Sequence, residues 1–273
     1  MPGAEPRADP DDTLSGALPI LPVPKAALVT GAGQRIGRAL ALALADLGYA
    51  VAVHYNGSRE AAEGVAAAIR EVGGKSIAIA ADLVDEVAVR ALLPRAATAL
   101  GPIGVLVNNA SVFEGDTVDT ATRQSWDSHL AVNLRAPFVL IQEFARHLPE
   151  GSGGNIINLL DERVWSPTPY FMSYTLSKAG LWTLTQTMAL ALAPRIRVNG
   201  IGPGPTLPSP RQNDDQFLQQ CRSMPLQRGT APQEIAVALR FILAAPAMTG
   251  QMIALDGGQH LGWAQPRQNH MIE

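Results

Sequence analysis

From Ala26 onward, short runs of β-branched and small apolar residues alternate with longer Ala/Leu-rich stretches whose apolar positions recur at helical spacing. The runs Ala26–Thr30, Ala50–Tyr55, Ser76–Ala80, Gly104–Val107, Asn155–Leu159, Arg197–Ile201 and Met252–Leu255 predict strands. Helices are predicted over about 35–48, 59–72, 85–100, 125–149, 173–193 and 232–244. Strands this continuously apolar need cover on both faces, and the intervening helices supply it. The expected fold is α/β: a Rossmann-type, doubly wound, seven-stranded parallel sheet with helices on both faces, forming one domain over 25–262. Three stretches lack this periodicity. Residues 1–24 carry six prolines and three aspartates and are read as a disordered tail, and 263–273 as a C-terminal tail. The Pro-, Gln- and Asn-rich segment at about 206–228, with Pro205, Pro208 and Pro210 in or beside it, is expected to be an irregular lid.

Composition narrows the partner. Of the 273 residues 47% are hydrophobic and 16% charged, the formal net charge is −3, and basic residues are scattered. That balance excludes a largely disordered chain and provides no electrostatic footprint for nucleic acid or anionic lipid. No run reaches the roughly 18 apolar residues of a membrane span. The N-terminal stretch lacks the basic start and apolar middle of a secretory signal, and the single cysteine, Cys221, excludes a disulfide framework. The expectation is a cytoplasmic protein whose partner is a small molecule.

Candidate chemistry sits where predicted strands end. Thr30-Gly31-Ala32-Gly33-Gln34-Arg35-Ile36-Gly37 leaves the first strand and opens the first helix. There a pyrophosphate can meet backbone N–H groups and the positive end of a helix. Alone the turn reads equally well as an ordinary strand-to-helix connection. About twenty residues on, His54-Tyr55-Asn56-Gly57-Ser58-Arg59 has no carboxylate to hold a ribose 2′-hydroxyl, which favours NADP(H) over NAD. Ser58 and Arg59 suit a 2′-phosphate, or simply a helix start and a solvated charge. Tyr174 and Lys178, four apart on one helix, share a face; an ammonium near a phenol favours tyrosinate and brings its pKa down, making a general acid. Asp161 ends the fifth strand, Asn108-Asn109-Ala110-Ser111 the fourth, and Asn133 lies inside a helical segment that does not favour asparagine.

Together these residues resemble the short-chain dehydrogenase/reductase family from about Ala26 to Leu261. The matching pieces are the Thr30–Gly37 turn, Asp82-Leu83 for the adenine pocket, Asn108-Asn109-Ala110, Asn133, Tyr174 with Lys178, Pro203-Gly204 and Asp256-Gly257-Gly258. The resemblance implies Tyr174 as proton donor, Lys178 lowering its pKa and bonding the nicotinamide ribose, and Asn133 holding a water in a proton relay. Gly31, Ile36, Gly37, Asn109, Ala110, Pro203 and Gly204 would contact the dinucleotide. Two departures, Arg35 for the usual Gly and Asp161 for the usual Ser, resemble the pteridine reductases, as do His54-Tyr55 and Phe113. In that subfamily the pterin stacks between nicotinamide and the ring matching Phe113; Arg35 and Ser111 contact cofactor phosphates and substrate, and Asp161 with Tyr174 supplies protons. A carboxyl group in a partly desolvated cleft can acquire a raised pKa and donate near neutrality. Gly57 stands where the subfamily has a basic residue, leaving 2′-phosphate recognition to Arg59, Ser58 or His54. The implied activity is NADPH-dependent reduction of a dihydropterin, with dihydrofolate as a further substrate; the rivals are a carbonyl reductase of 3-oxoacyl or sugar-alcohol type and, further off, a non-catalytic cofactor sensor. The family also implies a homotetramer packed through the helices around 125–149 and 173–193, with Trp263 and Arg267 near a neighbour's site.

Overall fold

The computed structural model describes residues 20–209 and 211–262. Seven strands, β1 (Ala26–Val29), β2 (Ala50–Tyr55), β3 (Ser76–Ala80), β4 (Val105–Asn108), β5 (Gly154–Leu159), β6 (Ile196–Pro203) and β7 (Met252–Leu255), form one sheet in the order β3-β2-β1-β4-β5-β6-β7. Every pair is parallel, for example Leu28 beside Ala52 and Leu106 beside Ile156. The order reverses between β1 and β4. At that switch point the carboxyl ends of neighbouring strands diverge and leave a crevice for a ligand.

Side-chain alternation along β1 explains the two layers. Ala27 and Val29 face a core shared with α1 (Arg35–Asp46), α2 (Arg59–Glu71) and α8 (Pro232–Ala244). Ala26 and Leu28 face a second core with α3 (Glu86–Leu100), α5 (Ala136–His147) and the far end of α6 (Met172–Leu192). Such two-sided burial is what the apolar strands required.

Three expectations are corrected. The helix foreseen as continuous over 125–149 is α4 (Arg123–Leu130), a π turn (Ala131–Arg135) and then α5. The π turn adds a residue to the local turn and carries Asn133 inward. The supposedly irregular 206–228 segment contains α7 (Asp214–Ser223), started by a reciprocal cap in which Asn213 accepts from Gln216 N and Gln216 from Asn213 N. Finally, the described part of the expected N-terminal tail contacts the domain: Pro22 O accepts from Gly153 N, and Val23 packs on the first core. The remainder of that tail, and the C-terminal tail with Trp263 and Arg267, lie outside the described residues. Among the described residues no helix is long and apolar enough to cross a membrane.

Candidate active site

The Gly-rich turn is held from three sides. Thr30 Oγ1 accepts from the amides of Asn109 and Ala110, and Asn109 Nδ2 donates to the carbonyls of Thr30 and Gly31, tying the end of β4 to the end of β1. Gly31 has φ +60°, where a side chain would be strained, and a Cβ on Gly37 would lie 2.2 Å from Gly31 O. Beneath the turn is His54, 1% exposed. Its Nδ1 accepts from Gly31 N at 3.1 Å while Nε2 donates to Ala81 O at 3.1 Å, and burial brings its pKa down to about 4. A neutral ring with both nitrogens engaged has nothing left for a phosphate, so the reading of His54 as a phosphate ligand is corrected: it supports the turn.

Tyr55 is half-buried at the end of β2, with Ser58 and Arg59 exposed just beyond it. A Cβ on Gly33 would lie 3.0 Å from Ala62 N, so the start of α2 abuts the turn. Leu83 is buried after β3, and Asp82 beside it is exposed, its carboxylate accepting from Val84 N. α1 opens without a side-chain cap at Gln34. Its first amides are therefore available to an anion.

From this turn a cleft runs across the carboxyl edge of the sheet. Arg35, Ile36, Asn109, Pro203 and Gly204 line one end. Arg35, itself at φ 51°, donates to Pro208 O at 2.9 Å and Leu207 O at 3.2 Å, fastening the segment before α7 across the opening. Ser111 and Phe113 line the far wall. The Phe113 ring stacks on Phe171 with centroids 4.6 Å apart and meets Tyr174 edge-on at 4.7 Å.

Asp161, Tyr174 and Lys178 converge at the floor. Tyr174 donates its hydroxyl proton to Asp161 Oδ2 at 2.7 Å, and Lys178 Nζ donates to Leu159 O at 2.7 Å. Burial brings the Lys178 pKa down to about 8. The expected depression of the tyrosine is reversed: burial, reinforced by the neighbouring Asp161 charge, pushes the Tyr174 phenol well above its ordinary value. The phenol stays protonated, which is the form an acid must hold. Asn133, fully buried, clamps Val112 through both backbone groups (2.8 and 2.9 Å) and donates to Ser177 Oγ, which in turn donates to Tyr174 O. Its side chain thus fixes the Phe113 loop against α6.

Sequence reasoning missed Glu162, Arg163 and Phe171. Arg163 lies 3.4 Å from both carboxylate oxygens of Asp161 and is nearly buried, so Asp161 has a cationic partner as well as the phenol. The carboxyl group that burial, helped by the Asp161 charge, pushes up to about 8 is its neighbour Glu162. The signal was available: three consecutive charged residues, Asp161-Glu162-Arg163, come one residue after a buried strand.

The model of short chain dehydrogenases matches residues 25–218. The chain belongs to that family and is an oxidoreductase of it. It is 47% identical to a FolM Alternative dihydrofolate reductase 1 from Brucella suis, solved in complex with NADP, with 88% of this chain and 96% of that one covered at a TM-score of 0.85. The Brucella canis counterpart, also complexed with NADP, gives 45% identity, 90% and 98% coverage and a TM-score of 0.87. Among curated sequences, the 3-oxoacyl-[acyl-carrier-protein] reductase FabG of Staphylococcus epidermidis is 36% identical over 243 residues, 87% of this chain and 99% of that protein.

Proposed function

We propose that this protein is an NADPH-dependent reductase of dihydropterins, with dihydrofolate as a further substrate. One observation carries the reading: the hydrogen bond from the Tyr174 hydroxyl to Asp161, at the position where the wider family pattern has serine. A serine hydroxyl suffices to polarise a carbonyl oxygen, whereas a C=N bond in a fused ring needs a proton delivered to nitrogen and ring N–H groups accepted. Asp161 accepts, and Tyr174 donates. The Brucella structures support the same choice through their names.

The residues present fit the dinucleotide. The uncapped start of α1, Gly31 and the absence of room at Gly37 make a backbone cradle for a pyrophosphate. Ile36, Asn109, Ala110, Pro203 and Gly204 flank the path from that cradle to the floor. Ser58 and Arg59 hold the 2′-phosphate, Asp82 and Leu83 the adenine, and Lys178 the nicotinamide ribose. When bound, the cofactor supplies the hydride. Arg35, Ser111 and Phe113 orient the pterin, and the Tyr174 phenol protonates its ring nitrogen from the side that Asp161 and Lys178 control. Tetramer assembly belongs to the same proposal; Leu190, 83% exposed on α6, supports a partnered face. A sedimentation measurement giving a monomer contradicts it.

The FabG relatives favour a second reading, reduction of a 3-oxoacyl thioester. Steady-state oxidation of NADPH by the purified protein separates the two. Turnover with a dihydropterin and none with an acetoacetyl thioester is the expected result. The opposite pattern establishes the second reading, and NADPH binding without turnover of either substrate leaves the chain a sensor.

A further inference from the structure

Two oxygens in the cleft have no hydrogen-bond partner. Glu162 is 2% exposed, lines the cleft immediately after Asp161, and its Oε2 is buried without a donor. Gln259, in a short 3-10 turn (Gln259–Leu261) packed against the turn that holds Glu162, lines the same cleft, and its Oε1 is likewise buried and unpartnered. Buried acceptors are ordinarily satisfied, and two orphans on residues that line one cavity mark a place where a ligand can bring the donors. The neighbouring groups of the floor do not use them: Asp161 is occupied by Tyr174 and Arg163, and Lys178 by Leu159.

We propose that Glu162, assisted by Gln259, is the specificity-determining acceptor of the substrate, receiving the paired N–H donors of a 2-amino-4-oxopyrimidine edge. The proposal rests on the pterin reading and names which part of the ring is recognised away from the reacting bond. The amino group and the ring N–H of such an edge point the same way at the spacing of a carboxylate fork, and an acyl thioester has no equivalent. The accepting form is the carboxylate, which the paired donors draw out as the substrate binds. Burial keeps Glu162 neutral near pH 7, its pKa being about 8, so an unpaired charge is avoided in the empty cleft. The charged groups facing it are Asp161 and Arg163 from its own turn and Asp256 from the end of β7, the last paired with His260; the Tyr174 phenol lies against it from α6.

The test is a specificity exchange in the full-length protein with NADPH. Glu162→Gln preserves shape but replaces one acceptor by a donor, matching the ring N–H and C2=O of a 2,4-dioxopteridine instead of the 2-amino edge. The wild type is expected to prefer the 2-amino dihydropteridine over its 2,4-dioxo counterpart. E162Q should shift the ratio of KM values at least about tenfold toward the dioxo substrate with little change in kcat, as loss of a charge-assisted pair implies. KM for the amino substrate should fall as pH rises through about 8 in the wild type and not in E162Q. An unchanged KM ratio in a folded E162Q that binds NADPH normally overturns the proposal. Should E162Q not fold, Gln259→Leu decides: a raised KM for the amino substrate at constant kcat supports it, and an unchanged KM overturns it. Wild-type protein that turns over no pteridine removes the pterin reading and this inference with it, whereas turnover with an unaltered ratio removes the inference alone.

Discussion

The two ends of the cleft are built on opposite principles. Around the Gly-rich turn, Thr30, Asn109 and His54 spend their hydrogen bonds on one another and on the backbone, and Gly31, Gly33 and Gly37 stand where a side chain would collide or strain the backbone. At the other end Asp161, Glu162, Arg163, Tyr174 and Lys178 crowd several ionisable groups into a buried wall, and unsatisfied atoms remain on Glu162, Arg163 and Gln259. At the first end only the opening amides of α1 await a ligand, the side-chain hydrogen bonds being complete before anything binds. The second carries its cost in the free protein and is repaid only by a ligand of the right chemistry. A shared cofactor asks for rigid backbone presentation; substrate choice is written in charge.

Perturbing each end should therefore give different signatures. Tyr174→Phe removes the proton donor at the charged end, and kcat should drop about a thousandfold with NADPH affinity nearly unchanged, as rapid-quench or steady-state kinetics will show. At the other end Gly37→Ala forces a methyl against Gly31 O and Asn109 Nδ2. NADPH affinity measured by fluorescence titration should weaken about a hundredfold, since the backbone there cannot yield cheaply.

The difference also explains what could be read in advance. All seven strands and the location of the Gly-rich turn were legible because two-sided burial writes itself as apolar runs, and the turn as glycines. The Asp161, Tyr174 and Lys178 convergence was legible from strand ends and helical spacing. The π turn at Asn133 was not, because it is an adjustment of backbone hydrogen bonding that residue preference does not encode. The helix α7 was obscured by surrounding prolines, although Asn213 and Gln216 carry the spacing of a reciprocal cap. The direction of the Tyr174 shift was misjudged because Lys178 looked like its dominant neighbour in sequence. In space the hydroxyl meets Asp161, while the ammonium lies 5.7 Å from the ring centroid and bonds a carbonyl.

A smaller effect sharpens the role of His54. Its folded pKa, about 4, lies below the ordinary 6.5, so the unfolded chain binds the extra proton first as pH falls. Stability from this site is present in full above about pH 6.5 and is lost progressively down to pH 4, by up to about 3 kcal/mol. Denaturant titrations of His54→Gln, whose amide can make both hydrogen bonds without titrating, should show a flatter dependence over that range. An unchanged slope would mean that the ring is not held neutral beneath the turn.

The central claim is that Asp161 adapts a generic dinucleotide-binding fold to a ring C=N bond. The direct measurement is kcat/KM of Asp161→Ser for a dihydropterin and for an acetoacetyl thioester, with NADPH binding measured alongside. The account predicts a loss of about a hundredfold or more with the pterin, at unchanged NADPH affinity, with the thioester left unreduced as in the wild type. Full retention of pterin reduction by the serine variant would contradict it.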